Sequence, residues 1–376
     1  MSRLVSNASW LAWLLLATAA TASSARGGVV LTAAGRQEGT LSATPGALRV
    51  GGRSIAWNDV LLAVNDPQAE SPTSPETVHL VSGEILVGTV KLLAGRMTLS
   101  SPLLGHWPLE LSQVRAIDFT PELPFTGRER DATLYRRRAG DVPCRLIWIR
   151  GERVAIQSAV GASALEKKDL RRYVVQAALE APAGAESEIT LADGSLLRGG
   201  IQPVESGFLV KSRLLGEQMV RHASWHSVRR SSAASPCFSL AQLQPAQLRT
   251  FPLIRRPADP PRSVRAQPGL AGSFMQRIYV WPRSMVAYRV PGGEEQKYLF
   301  AAGLGLADHS RGAARVRILV DDRVAFERLL DPGLGKSIPV SFEAGGGSML
   351  KFEVDFGESV RFPCSVTVDD ALLVRK

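Results

Sequence analysis

The chain is 376 residues long, with 45 Lys and Arg against 35 Asp and Glu, a formal net charge of +10 and 21% charged residues. That length accommodates two or more domains, and the ordinary charged fraction beside 45% hydrophobic residues excludes wholesale disorder. Three cysteines exclude a disulfide scaffold, and the scattered basic residues, with only the short runs Arg136-Arg137-Arg138 and Arg255-Arg256, favour a solvated basic surface over a nucleic-acid site.

At the N-terminus Arg3 precedes an apolar run over residues 10–20, followed by Ala20-Thr21-Ala22 and Ser23-Ser24-Ala25. This pattern reads as a secretory signal peptide, residues 1–25, with a small-residue cleavage site. The run is short for a membrane span, although an uncleaved anchor is the other reading of the same segment. No later segment is long enough to cross a bilayer, so no transmembrane anchor is expected. The expected location is an export compartment, periplasmic or extracellular.

Residues 28–64, 77–119, 131–177 and 187–230 read as copies of one β unit. The clearest begins with Val78-His79-Leu80-Val81, turns at Ser82-Gly83 and continues through Ile85-Leu86-Val87-Gly88-Thr89-Val90. A turn at Ala94-Gly95 leads to Arg96-Met97-Thr98-Leu99-Ser100, and the unit closes through Val114 to Phe119. A glycine precedes the third strand in every copy, at Gly46, Gly95, Gly151 and Gly207, where a turn requiring positive φ explains it. This order resembles an SH3-like or Sm-like unit, which implies four small barrels, the third of them degenerate, joined by Pro-, Ser-, Ala- or charge-rich linkers at 65–76, 120–130, 178–186 and 231–236. Sm-like folds that bind RNA need stacking aromatics and basic loops, and neither recurs across the copies.

Residues 237–376 read as a β-sandwich of jelly-roll type. In Met349–Phe356 the residues Leu350, Phe352, Val354 and Phe356 share one face, and Lys351, Glu353 and Asp355 the other. Over residues 315–320, Val316, Ile318 and Val320 oppose Arg315, Arg317 and Leu319. Alternation of period two places one face on a core and the other in water. Turns at Pro291-Gly292-Gly293, Asp331-Pro332-Gly333 and Gly345-Gly346-Gly347 separate the runs.

Five blocks in this region carry a family resemblance: Phe238-Ser239-Leu240-Ala241-Gln242-Leu243, Ile278-Tyr279-Val280-Trp281-Pro282-Arg283, Tyr298-Leu299-Phe300-Ala301-Ala302-Gly303, Val316-Arg317-Ile318-Leu319-Val320-Asp321-Asp322 and Val368-Asp369-Asp370-Ala371-Leu372. In this order they resemble the NPCBM family of carbohydrate-binding modules, which implies a β-sandwich and a glycan ligand. The chain departs from that pattern. Arg277 stands where the family has Gly, Trp281 where it has His, and Asp322 where it has the turn Gly; the Trp near the closing strand is missing.

No constellation of catalytic type emerges. His222 and His226 lie in a turn-and-strand region with no third ligand nearby, so no metal is expected. Asp308-His309-Ser310 are adjacent, and a relay needs residues converging from separate segments. Gly303-x-Gly305 lacks the third glycine and helix of a dinucleotide site, and no cofactor is expected. The pairs Asp321-Asp322 and Asp369-Asp370 are adjacent in sequence, whereas a glycosidase needs carboxylates opposed across a cleft. Cys237 and Cys364 flank the last module and either pair or stay buried thiols.

The binding candidates are therefore aromatic. Tyr279 and Trp281 share a strand face opposite Ile278 and Val280, where rings stack on a pyranose, with Arg283 and Gln276 as hydroxyl partners. The competing reading buries both rings against the sandwich edge or the repeats. The expected protein is an exported, non-enzymatic binder of a glycan or envelope polymer. The alternatives are an envelope scaffold contacting other envelope proteins and, third, a hydrolase with a site between modules.

Overall fold

The computed structural model describes residues 28–32, 34–65, 76–120, 130–176, 186–232, 236–250, 262–265, 276–307, 310–332, 337–357 and 364–376. The signal peptide expected over residues 1–25, Arg255-Arg256 and Asp308-His309 lie outside the described residues. Every described element is a β-strand or a three-residue 3-10 helix, so the chain is all-β.

The four copies share one strand order. In the fourth, the strand Ser187–Leu191 pairs on one side with Leu196–Val204 and on the other with the closing strand Trp225–Arg229. Leu196–Val204, Gly207–Ser212 and Gly216–Arg221 form a meander, and the 3-10 turn His222–Ser224 leads into the closing strand. The turn glycines preceding the third strand have positive φ, 73° at Gly46, 78° at Gly95 and 53° at Gly151, as hairpin turns demand.

The expectation of one closed barrel per copy is corrected: among the described residues no barrel closes. The copies instead pair edge to edge. Ile117, fourth residue of the second copy's closing strand, faces Tyr173, fourth residue of the third copy's closing strand. Ala63 and Val228, again fourth in their closing strands, face each other between the first and fourth copies. Ile85 and Leu196, each two residues after the turn glycines Gly83 and Gly194, face each other between the second and fourth. Each junction thus opposes a residue to its own counterpart, which is the pattern of a local two-fold axis. A single apolar cluster results, running from Val30 to Val228. Trp57 of the first copy enters the fourth, 5.6 Å from the Phe208 ring, and donates its indole N–H to the Ile201 carbonyl at 3.0 Å. Phe208 meets Trp225 edge-on at 5.2 Å.

Buried ions fill the same junctions. Lys167 of the third copy pairs with Glu76, a residue of the expected linker 65–76, and Glu76 also accepts the Val90 N–H. Asp118 accepts from Arg172, with Nη2 at 2.8 Å, and lies 2.9 Å from His79 Nε2. Burial opposes ionisation of Asp118, but its bonds to Arg172 and His79 outweigh that cost and hold its carboxyl below the ordinary value. Between the second and fourth copies the contacts are reciprocal. Glu84 accepts from Ser212 Oγ at 2.7 Å and the Arg198 N–H at 3.2 Å, while Asp193 accepts from Ser101 Oγ at 3.3 Å and Ser195 Oγ accepts the Val87 N–H at 3.0 Å. Burial pushes the Glu84 and Asp193 carboxyls up.

The C-terminal sandwich is two antiparallel sheets. The first runs Arg262–Arg265, Gln276–Val280, Val366–Arg375, Lys297–Leu306, Ile338–Gly345, with Cys237–Ser239 also pairing Val366–Arg375. The second runs Gln247–Thr250, Ser284–Arg289, Met349–Phe356, Ala314–Val320, Arg323–Leu330. Leu350, Phe352, Val354, Val316 and Ile318 are buried, and Phe300 crosses to Phe352 at 5.9 Å.

A smaller apolar cluster joins the sandwich to the repeats: Leu61, Leu62 and Val64 of the first copy against Cys237, Leu372 and Val374, with Leu31 beside them. Glu188 binds Arg198 at 2.7 Å and Arg229 at 3.1 Å, and Arg229 donates to the Cys237 carbonyl. All three cysteines are free and buried: Cys237 lies in this interface and Cys364 in the sandwich core.

Two outcomes follow for stability. Trp225→Ala empties the shared aromatic core and costs about 3–5 kcal/mol in denaturant unfolding. A carboxyl held below its ordinary value stabilises the fold above that value and loses the contribution as pH falls through the folded one. The unfolding midpoint of the native chain therefore falls more steeply from about pH 5 to pH 3 than that of Asp118→Asn.

Candidate functional site

Gln276–Val280 lies between Arg262–Arg265 and Val366–Arg375 in the first sheet. Ile278 and Val280 are 3% and 0% exposed, so the alternation directs Arg277 and Tyr279 to the outer face. Tyr279 and Trp281 are both half-buried, with ring centroids 6.4 Å apart and planes tilted by 34°. They are thus neither fully covered nor freely exposed. The Arg277 guanidinium carbon lies 5.9 Å from the Tyr279 ring centroid, within cation–π range.

Arg277 is held by Asp369 in a two-point bond, Nε at 2.6 Å from Oδ1 and Nη2 at 2.9 Å from Oδ2. Burial opposes its protonation, but Asp369 overrides that and raises its hold on the proton. A β-bulge places Asp369 there. The ladder between Val366–Arg375 and Lys297–Leu306 shifts register between Ala301 and Gly303, and Asp370 adopts φ 49°. Asp370 Oδ1 accepts the Gln276 N–H at 2.9 Å, so the adjacent carboxylates serve two different groups of one strand. Before the bulge Ser365, Thr367 and Asp369 share the face of Tyr279; beyond it Leu372 and Val374 pack on the first repeat.

The four candidates do not converge as one cluster. Gln276 has the parity of Ile278 and Val280, and its Oε1 accepts from Ser239 Oγ, so as a hydroxyl partner beside the rings it is corrected: the pleat turns it to the other face. Arg283 is exposed in the turn to Ser284–Arg289 and lines a cleft with Met285, Arg315, Arg317, Glu353 and Asp355 of the second sheet. Arg277 and Asp369 complete the outer face and escaped the sequence reading. Their signal was present in the parity of Arg277 with Tyr279.

Other sequence features take structural roles. Gly303 sits where a β-carbon would meet Ser337 Oγ at 2.3 Å, so close packing across the sheet explains it. Asp321 and Asp322, at φ 48° and 68°, form the two-residue turn of a hairpin, with Val320 opposite Arg323. Asp321 accepts the Met349 N–H at 2.8 Å, which together with the Ser348 side chain holds its carboxyl low. His222 Nδ1 lies 3.3 Å from Trp225 Nε1. Among the described residues no group of three His, Cys, Asp or Glu is placed to hold a metal ion, and no helix is long and apolar enough to cross a membrane.

No family model matches the chain, and no curated protein does. Solved structures with a likeness include a CBM51 module from a Clostridium perfringens family 95 glycoside hydrolase in complex with methyl-galactose, at 18% identity and TM-score 0.28, covering 36% of this chain and 99% of that one. Another is the tandem CBM51 pair of a family 98 glycoside hydrolase from Streptococcus pneumoniae, at 9% identity and TM-score 0.30, covering 92% of this chain and 87% of that one. A third, from Clostridium perfringens, holds a CBM51 module in complex with GlcNAc, at 13% identity and TM-score 0.30, covering 57% of this chain and 43% of that one.

Asp369→Asn removes the charge opposite Arg277 and lowers stability by about 1–3 kcal/mol. The near-ultraviolet circular dichroism of the Tyr279–Trp281 pair changes with it, whereas Asp355→Asn, on the other sheet, leaves that signal intact.

Proposed function

We propose that the chain is an exported, non-catalytic carbohydrate-binding protein whose sandwich holds a glycan across Tyr279 and Trp281. One observation carries the reading: two tilted rings lie half-exposed on a sheet face whose neighbouring guanidinium is fixed by a bidentate carboxylate. The rings offer apolar surface to the C–H face of a sugar, beside the Arg277 guanidinium that Asp369 fixes. The rings and the fixed charge are preorganised, so little side-chain entropy is lost on binding.

The resemblance of residues 237–376 to NPCBM modules supports this reading, and Arg3 with the apolar run 10–20 supports export. We read the four copies as SH3-like or Sm-like units opened at their edges, a scaffold that carries the sandwich. That scaffold also supports the second reading, an envelope assembly protein without glycan binding, because the interface of Leu61, Leu62 and Val64 with Leu372 and Val374 makes the sandwich continuous with the repeats.

A glycan array on the full chain tests this. Trp281→Ala weakens the bound glycan by about tenfold or more, the scale of one lost stacking contact. Tyr279→Ala does so less severely. Unchanged binding in both variants removes the ring platform. A blank array combined with cross-linking to envelope proteins selects the scaffold reading.

A further inference from the structure

The outer face of the second sheet carries an open cleft of about 360 Å³, lined by Arg283, Arg315, Arg317, Glu353 and Asp355 with Ser284, Met285 and Val354. Small-molecule clefts begin at about this size. Along the ladder Arg315 stands opposite Asp355, and Arg317 stands between Glu327 and Glu353. The ion pairs are long: Arg315 to Glu327 at 3.8 Å, Arg317 to Glu327 at 3.3 Å and to Glu353 at 3.9 Å, among side chains about half exposed. Such pairs contribute under about 1 kcal/mol each, so they do not withhold the guanidiniums from a ligand.

Arg283 differs from the other two. It forms no ion pair with a described residue, and its backbone is held at φ 58°, a left-handed conformation that costs a residue with a β-carbon about 1 kcal/mol. The turn places Arg283 at the rim of the cleft.

We infer that this cleft is a subsite for an acidic saccharide, a uronate unit whose carboxylate is taken by Arg283. The inference rests on the reading of the chain as a glycan binder. The lining chooses the ligand class. Three arginines against two carboxylates leave the lining one net positive charge, which suits a single carboxylate better than a dense polyanion such as a nucleic acid or a sulfated chain. A neutral sugar leaves the Arg283 charge unused. A uronate uses both, with its carboxylate on the planar guanidinium fork and its hydroxyls donating to Glu353 and Asp355. Trp281 is two residues from Arg283, within about 7 Å along the chain, so ring and charge are borne by one turn.

Calorimetry of the full chain with a galacturonate trisaccharide, a neutral galactose trisaccharide and a sulfated galactose trisaccharide without uronate tests this at low and high salt. The uronate binds about tenfold tighter than the neutral sugar at low salt, the scale of one charge-assisted hydrogen bond. Arg283→Gln abolishes that advantage, Arg315→Gln reduces it, and salt erodes it. Arg283 is exposed, so its variant keeps the fold. Uronate binding that survives Trp281→Ala but not Arg283→Gln sustains the subsite and removes the ring platform. No uronate binding, equal affinity in Arg283→Gln, or binding of the sulfated galactose trisaccharide as tight as that of uronate overturns the subsite.

Discussion

A β unit of about forty residues cannot bury enough apolar surface to stand alone. Everything in the first two-thirds of the chain depends on how that deficit is met. Each copy leaves an edge of its second or closing strand unpaired within the copy, and each meets the same edge of another copy. Because equivalent residues face one another, as Ala63 does Val228, one substitution pattern satisfies both partners at once. The spatial order that results is first, fourth, second, third, which is not the order of the chain. At the end of this row, Arg36 and Glu38 form a 3.1 Å ion pair on the strand Gly35–Gly39, and charge on an outer strand discourages further pairing.

The junctions also carry ions where a purely apolar contact would hold as well or better. A buried ion pair contributes little net stability, yet removing one partner is costly. Its effect is therefore selective. Lys167 reaches Glu76 only when the second and third copies meet in one register, and Glu188 is satisfied by Arg198 and Arg229 only when the fourth copy is complete. The ion pairs fix which of several similar edges meet.

Much of the sandwich is legible in the sequence because its strands have one wet face. Lys351, Glu353 and Asp355 announce the exposed side of Met349–Phe356, and Ile278 with Val280 announces the buried side of the strand that bears the rings. The closing strand Val366–Arg375 is less legible because neighbours cover both of its faces and alternation disappears. Parity alone separates Gln276 from the ring face and places Arg277 on it. The edge pairing of the repeats left no trace in any single copy. It is a property of two segments more than fifty residues apart, and the strand pattern within one copy is the same whether a barrel closes or opens to a neighbour.

The bulge at Asp370 makes Val366–Arg375 serve two bodies on one side, the ring-bearing strand before it and the first repeat after it. A pull applied at the ring-bearing strand, away from the repeats, therefore loads Val366–Arg375 along its length. Its ladder with Lys297–Leu306 resists in shear, many hydrogen bonds straining together, instead of peeling open one at a time. The strongest direction of the sheet thus lies along the line of tension between the ring-bearing strand and the first repeat.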